Sequence, residues 1–358
     1  MNHSDQFPVL DKCTYLNTAY SGLLSVNIAE WRRKHDEEFI NLGSEFRLNP
    51  SLFLRNVREN LASLFNGKPE NTFLVPNFSF GLNTFLNGLE GHHKFLLLSG
   101  DYPSINYPIL SRGFDCEQVE IGTDLEERIL EKIKIWKPTV FAFSLVQYIS
   151  GIKLNELFLT KLKQEFPDLL LIADCTQFCG TATFDFEHSA IDVAISSGYK
   201  WMLAGYGNGF VFLKDQAKNL IYKDRKTKSL PSEPFLNGKD HLLMCFEPGH
   251  LDTLNFGTLN QAINHLKTIG LAVIEQETQN LTEKAKDAFA ERGLLGKDVL
   301  ERKDHSTILS LSLSPEQVKK IQEANIICSA RGAGTRFSFH YYNTENDLNT
   351  LLEVLDHK

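Results

Sequence analysis

The sequence has no run of apolar residues as long as a membrane-spanning helix, which needs about 20 in succession. Its first residues, Met1 to Pro8, contain no apolar core of a secretion signal. The six cysteines are scattered, and the one close pair, Cys175 and Cys179, has no second pair to complete a zinc site. The net charge of −8 does not favour nucleic acid. We expect a cytoplasmic protein with reduced thiols, no metal, and no membrane or nucleic-acid partner.

Short apolar segments alternate with segments of helical periodicity over the first two thirds of the 358 residues. This pattern predicts an α/β fold with a mostly parallel sheet between helices. The predicted strands are Thr72–Val75, Lys94–Leu98, Glu117–Ile121, Val140–Ser144, Leu169–Ala173, Ile191–Ser196 and Gly209–Leu213. The predicted helices between them are Phe80–Leu89, Pro103–Gly113, Asp124–Trp136 and Leu154–Phe166.

The pattern changes after Leu213. Residues 214–241 are polar and predict a long loop, and residues 260–292 predict one long helix. A small C-terminal α/β unit follows, with strands at 307–313, 326–329 and 335–340 and helices at 315–323 and 345–355. We expect a large domain over 23–260, and a small domain made of 1–22 and 261–358.

Lys200 and Asp174 are the residues that most clearly indicate chemistry. Lys200 follows a serine pair and an apolar strand, so burial is expected to lower its pKa and make its amine a nucleophile. Asp174 ends a buried strand, where it can pair with a protonated pyridine nitrogen or simply cap the next helix. Together they suit an aldehyde cofactor on a pyridine ring. The alternative for Lys200 is a solvated surface lysine.

Two further residues fit the same cofactor. Gln177 lies three residues after Asp174, where a helical turn would let it donate to a phenolic oxygen of the ring. Ser79 begins an amphipathic helix, and helix N-termini bind phosphate through free backbone N–H groups. Because any helix can begin with serine, Ser79 alone is a weak signal.

With these motifs the chain resembles the class V group of fold-type I pyridoxal-phosphate enzymes, which includes aminotransferases, cysteine desulfurases, kynureninase and isopenicillin N epimerase. The resemblance extends from Tyr15-Leu16-Asn17-Thr18-Ala19 to Tyr342-Asn343-Thr344. Its most specific parts are Asp174-x-x-Gln177, Ser197-x-Tyr199-Lys200, Phe256-Gly257-Thr258-Leu259-Asn260 and Arg336-x-Ser338.

The resemblance implies roles for these positions. Lys200 would carry pyridoxal 5′-phosphate as a Schiff base, and Asp174 and Gln177 would contact its ring. Arg336 would bind the substrate carboxylate, with Ala19 beside the substrate. Thr258 would reach the phosphate of a second subunit, which implies a homodimer with shared active sites. The other cofactor contacts would come from Ser79, the Phe80 backbone, Tyr102, Ser197 and Tyr199.

The resemblance predicts an aminotransferase that acts on an α-amino acid and a keto acid. Desulfurases carry histidine where this chain has Tyr102, and they place a nucleophilic cysteine in a loop for which residues 326–336 leave almost no room. Cys328 is expected to be an inert strand residue. Cysteine desulfuration, C–S bond lysis and epimerisation remain alternatives, as does a cofactor-binding protein without turnover. Either Gln147 or Tyr148 could replace an asparagine of the desulfurases.

Overall fold

The computed structural model describes residues 5–47, 50–236, 238–302 and 305–356. Within these ranges the chain forms a seven-stranded sheet, a three-stranded sheet and a two-stranded sheet. The strands are β1 (Thr14–Tyr15), β2 (Thr72–Val75), β3 (Lys94–Leu98), β4 (Asp115–Val119), β5 (Val140–Ser144), β6 (Leu170–Asp174), β7 (Val193–Ser197), β8 (Gly209–Leu213), β9 (Ile308–Leu311), β10 (Ile326–Ile327), β11 (Ser329–Arg331) and β12 (Gly334–Ser338).

The helices lie mostly between these strands, as the alternating pattern predicts. They are α1 (Val26–Leu42), α2 (Pro50–Phe65), α3 (Phe78–Gly88), α4 (Pro103–Leu110), α5 (Leu125–Trp136), α6 (Glu156–Glu165), α7 (Asp215–Leu220), α8 (Lys223–Lys226), α9 (His241–Phe246), α10 (Thr253–Ile269), α11 (Leu271–Glu291), α12 (Lys297–Glu301), α13 (Pro315–Glu323) and α14 (Glu345–Asp356). No described helix is long and apolar enough to cross a membrane.

The large sheet has the order β2-β8-β7-β6-β5-β3-β4 and is parallel except for β8, which runs antiparallel to both of its neighbours. Its central strands are buried at every position, because helices cover both faces. Leu96 packs in the apolar cluster on one face and Leu97 in the cluster on the other. The predicted seven-stranded, mostly parallel sheet between helices is therefore confirmed.

Two predictions about the second half of the chain are wrong. The single helix over 260–292 is two helices, α10 and α11, separated by Gly270 at φ +92°, a left-handed conformation that favours glycine. The segment 214–241 is not one long loop, because α7 and α8 form within it and α9 begins at its end. Both errors come from tertiary contacts that local composition does not reveal.

The segment before α1 joins the two parts of the fold. β1 pairs in parallel with β10, and the Ala19 N–H donates to the Ser338 hydroxyl at 3.0 Å. We call residues 14–24 the N-terminal strap. It crosses the Lys200 backbone so closely that a Cβ on Gly22 would lie 2.0 Å from the Lys200 carbonyl oxygen. The division into 23–260 and 1–22 with 261–358 stays a prediction, and residues 1–4 and 357–358 lie outside the described part.

Candidate active site

A cleft lies at the carboxyl ends of the parallel strands, where ligands bind in sheets of this kind. Its inner cavity has a volume of about 290 Å³ and its outer cavity about 440 Å³. Both cavities are lined by Tyr102, Tyr148, Tyr199, Lys200 and Tyr206. The inner cavity is also lined by Ser79, Ser144, Asp174, Gln177 and Ser197, and the outer one by Ala19, Tyr20, Arg331 and Arg336.

Lys200 and Asp174 are both buried and both line the inner cavity of this cleft. Lys200 is 7% exposed and Asp174 is 6% exposed. Burial lowers the pKa of Lys200 to about 8, against the attraction of Asp174. Burial likewise raises the pKa of Asp174 to about 6, although its Oδ1 accepts the Thr176 N–H at 2.8 Å. A lysine with a lowered pKa is unprotonated, and therefore nucleophilic, in a larger fraction of molecules at neutral pH than an ordinary lysine.

Tyr102 is held beside Lys200 by a carboxylate that the sequence did not indicate. The Lys200 Nζ lies 5.7 Å from the centre of the Tyr102 ring. Asp101, which is 4% exposed, accepts the Tyr102 N–H through Oδ1 and the Ser144 N–H through Oδ2, each at 2.7 Å. Asp101 therefore ties the loop after β3 to the end of β5 and fixes where the Tyr102 ring lies.

The amide of Gln177 has only one possible orientation. Its Oε1 accepts the indole N–H of Trp201 at 2.7 Å, and its Nε2 donates to the Ala19 carbonyl at 3.1 Å. An indole nitrogen can only donate and a carbonyl oxygen can only accept, so both contacts require the same amide orientation. One hydrogen of Nε2 has no partner in the described part of the chain. It is available to a ligand in the inner cavity, which Gln177 lines.

Trp201→Phe is expected to remove one of the two contacts that fix the orientation of the Gln177 amide. The substitution leaves the buried Gln177 Oε1 without a donor, which costs about 1–3 kcal/mol of unfolding free energy, and it lets the amide turn over. We expect a shifted absorption maximum of the bound cofactor and a lower kcat, measured beside thermal denaturation. Trp136→Phe, at the end of α5, is the matched control. A variant that loses stability but keeps the wild-type spectrum would show that Trp201 only packs.

The phosphate end predicted from the sequence lies at the N-terminus of α3. The Phe78 N–H donates to the Ser197 Oγ at 2.9 Å, and the Phe80 N–H donates to the Asn77 Oδ1 at 2.9 Å. The Phe80 amide that the resemblance assigns to the phosphate is therefore capped by Asn77. The hydroxyl and N–H of Ser79 have no hydrogen-bond partner among the described residues, and Ser79 lines the inner cavity. Ser79 and the Ser197 hydroxyl are the donors open to an anion here.

Arg336 is almost fully buried in β12, at 2% exposure. Its Nη1 donates to the Tyr148 carbonyl and its Nη2 to the Ser329 hydroxyl at 3.4 Å, while its buried Nε has no partner in the described part of the chain. Gln147 does not line the cleft, since its Oε1 accepts the N–H groups of Ile149 and Ser150. Tyr148 lines both cavities, which makes it the residue of this pair that a ligand meets.

Two further residues named from the sequence lie outside both cavities. Thr258 is fully buried within α10, where its hydroxyl donates to the Leu254 carbonyl at 2.7 Å and accepts from Arg32 at 2.8 Å. The role of Thr258 in a second subunit stays a prediction. Cys328 lies between β10 and β11, not in a strand. Burial raises its pKa to about 11, and it lines neither cavity.

Comparison with known proteins gives the chain a family context. The model of the family described as aminotransferase class-V matches residues 44–351. A protein of Ureaplasma parvum serovar 3 named "Probable cysteine desulfurase" is 23% identical over 282 residues, which is 74% of this chain and 68% of that protein.

Solved structures of the same fold cover nearly the whole chain. The complex of the cystine C–S lyase C-DES with its product cysteine persulfide has a TM-score of 0.85 and 19% identity, over 98% of this chain and 99% of that one. A C-DES mutant with glycine covalently linked to its pyridoxal-phosphate cofactor has a TM-score of 0.85 and 18% identity, over 100% of both chains. The apo cysteine desulfurase of Thermococcus onnurineus NA1 has a TM-score of 0.82 and 17% identity, over 99% and 96%.

Proposed function

The chain belongs to the class-V aminotransferase family, whose cofactor is pyridoxal 5′-phosphate, and from this premise we propose that it is a lyase that cleaves a carbon–sulfur bond of an α-amino acid. The proposed reaction does not require a nucleophilic cysteine of the enzyme. Its main support is the composition of the cleft, in which Lys200 is the only lysine and neither cavity is lined by a cysteine or a histidine among the described residues.

The side chains of the inner cavity fit the cofactor. Ser79 and Ser197 offer donors to a phosphate, Gln177 offers its remaining N–H to a phenolic oxygen, and the desolvated Asp174 carboxylate offers a counter-charge to a pyridinium nitrogen. The Tyr102 ring supplies an apolar face beside Lys200. When bound, the cofactor withdraws electrons from the α-carbon of an amino acid.

Lys200 can carry out the proton transfers of this reaction alone. Its lowered pKa would let the amine hold the cofactor's aldehyde and, once the substrate's amino group has displaced it, accept the substrate's α-proton. The Cβ–S bond then breaks and the sulfur leaves with the bonding electrons, while hydrolysis releases the remaining three carbons as pyruvate and ammonia. A thiol has a pKa of about 8.5, so the sulfur can leave as an anion. The reaction therefore does not require an acid at position 102, where the desulfurases carry histidine.

The hairpin of β11 and β12 argues against the thiol-dependent desulfurase alternative. Arg331 pairs with Gly334, so only Gly332 and Ala333 form the turn, and this turn carries no cysteine. A two-residue turn cannot deliver a thiol into the cleft. Cleavage that leaves sulfur on the released product, as in the named product of C-DES, requires no such loop.

Transamination, the prediction from the sequence, is the second candidate. The specific observation in its favour is that Lys200 is the one lysine that lines the cavities in the described part of the chain, and a single base suffices to move a proton between two carbons. Epimerisation has less support, because it requires a second base, and the described residues that line the two cavities include no second lysine and no histidine.

Product analysis separates these reactions. Incubation with L-cysteine is expected to release pyruvate and ammonia in amounts equal to the sulfide, and incubation with L-cystine in amounts equal to the cysteine persulfide. Alanine with sulfide would instead indicate desulfuration. Stoichiometric formation of pyridoxamine phosphate that a keto acid reverses would indicate transamination. Either of these two results would overturn the proposal, as would an absence of any change.

Cys328→Ser is expected to leave the rate of sulfur release within about twofold of the wild type. The thiol is held protonated by burial and lines neither cavity, so the reaction should not use it. Steady-state assays with L-cystine, with Cys13→Ser as a matched control, measure the effect. A loss of more than about tenfold in Cys328→Ser alone would indicate a desulfurase that uses this thiol.

A further inference from the structure

The outer cavity contains a second arginine that neither the sequence motifs nor the proposed reaction uses. Arg331 ends β11, and Arg336 lies opposite Ser329 on β12. Since side chains alternate along a strand, Arg331 and Ser329 point to the same face of the hairpin. Arg331 and Arg336 are therefore diagonal neighbours on one face of the hairpin, with roughly 7–8 Å between their Cα atoms.

The outer cavity has an excess of positive charge. It is lined by Lys200, Arg331 and Arg336, and none of the described aspartates or glutamates lines it. Neither arginine has an ion-pair partner in the described ranges. Burial and the charge of Arg331 lower the pKa of Arg336 to about 10, which means that the two guanidinium groups repel each other. Such an arrangement is stabilised when anions enter it.

Arg331 is placed to meet the far end of a ligand, not its reacting end. It is partly exposed, and its guanidinium carbon lies 5.1 Å from the centre of the Tyr20 ring at the cavity mouth. The described hydrogen bonds use only its Nη1, which donates to the Ala330 carbonyl. Arg336, by contrast, is buried nearer the inner cavity and contacts Tyr148. One arginine thus lies deep and the other at the rim, both facing the same space.

We propose that the substrate is an α-amino acid with a second carboxylate on its side chain, which Arg331 binds while Arg336 binds the α-carboxylate. This inference rests on the proposed function for the identity of the reacting end, but the second anion subsite follows from the hairpin itself. A fork of guanidinium donors binds a carboxylate through two parallel hydrogen bonds, so a neutral amide of the same shape is a much poorer ligand.

The test compares carboxylates with their amides on the holoenzyme. S-carboxymethyl-L-cysteine and S-carbamoylmethyl-L-cysteine are titrated against the absorbance of the bound cofactor. The acid is expected to bind about tenfold more tightly than the amide, the loss typical of one charge-assisted contact. In Arg331→Gln the two ligands should bind equally. Arg128→Gln, which removes a surface arginine from a salt bridge with Asp124, should keep the wild-type preference.

A second pair of ligands tests the subsite without any reaction. Glutarate and its monoamide have no amino group, and calorimetry measures their binding to the same three proteins. A preference for glutarate that Arg331→Gln removes supports the subsite even if no sulfur amino acid is cleaved, in which case only the proposed function fails. Equal binding of acid and amide to the wild type overturns the inference. So does an Arg331→Gln variant that weakens both ligands by the same factor.

Discussion

Lys200→Ala is expected to lower the rate of amino-acid turnover by about a thousandfold or more and to abolish covalent attachment of the cofactor. The reason is that Lys200 is the only lysine lining either cavity in the part of the chain that the structure describes, and its pKa is lowered to about 8. Borohydride reduction of the wild type followed by peptide mapping should place the pyridoxyl label on Lys200. The same treatment of Lys200→Ala should give no labelled peptide.

Lys214→Ala is the matched control for this variant. Lys214 is also partly buried with a lowered pKa, but it donates to the Ser189 carbonyl away from the cleft. It should keep the Lys200 label and most of the activity, with stability followed by thermal denaturation. A label on another lysine of the wild type, or an undiminished rate in Lys200→Ala, would contradict both the site and the proposed function.

Asp174→Asn is expected to lower kcat by about a hundredfold to a thousandfold, because the buried negative charge that would hold the pyridine nitrogen protonated is lost. The amide keeps the shape of the carboxylate and can still accept the Thr176 N–H. The absorption spectrum of the bound cofactor should therefore change with pH differently from the wild type. A normal rate with an unchanged spectrum would remove Asp174 from the site.

Although Asp174→Asn should lower kcat, it should not lower the stability of the cofactor-free protein. Burial raises the pKa of Asp174 in the folded state to about 6, so the carboxylate lowers the stability of the folded state as the pH rises from about 4 to 6. Removing it should leave the midpoint of thermal unfolding unchanged or higher at pH 7. Asp192→Asn is the contrast, since Asp192 pairs with Lys163 at 2.8 Å and its loss should destabilise the fold without changing the spectrum.

The strands of the large sheet could be predicted well because a strand that is buried on both faces consists of a short run of apolar residues. Thr72–Val75, Lys94–Leu98, Val140–Ser144 and Gly209–Leu213 have the predicted bounds. The break between α10 and α11 could not, since a single glycine inside a helical pattern is usually tolerated. Whether Gly270 continues or ends a helix depends on how the two helices pack against the rest of the molecule.

The candidate site likewise contains residues that the sequence predicted and residues that it did not. Lys200, Asp174 and Gln177 stand in recognisable local motifs, and the structure brings all three to the inner cavity. Trp201 and Arg331 carry no such signal, because each acts through a partner distant in sequence or across a hairpin. A tryptophan after a lysine is ordinarily a core residue, and an arginine at the end of a short strand is ordinarily solvated. Only the fold shows that Trp201 fixes the amide of Gln177 and that Arg331 faces the outer cavity.

The N-terminal strap has a consequence for how the protein is made. Ala19 contacts Ser338 across 319 residues and Gln177 across 158 residues, while Thr18 contacts Tyr342 across 324 residues. Contacts of such long range form late in folding, because closing a long loop costs entropy before the contact repays it. All seven strands of the large sheet precede residue 214, yet the strap has no partner in β12 until Ser338 has been synthesised. A chain interrupted before Ser338 would therefore contain every strand of the large sheet and still lack a complete cleft.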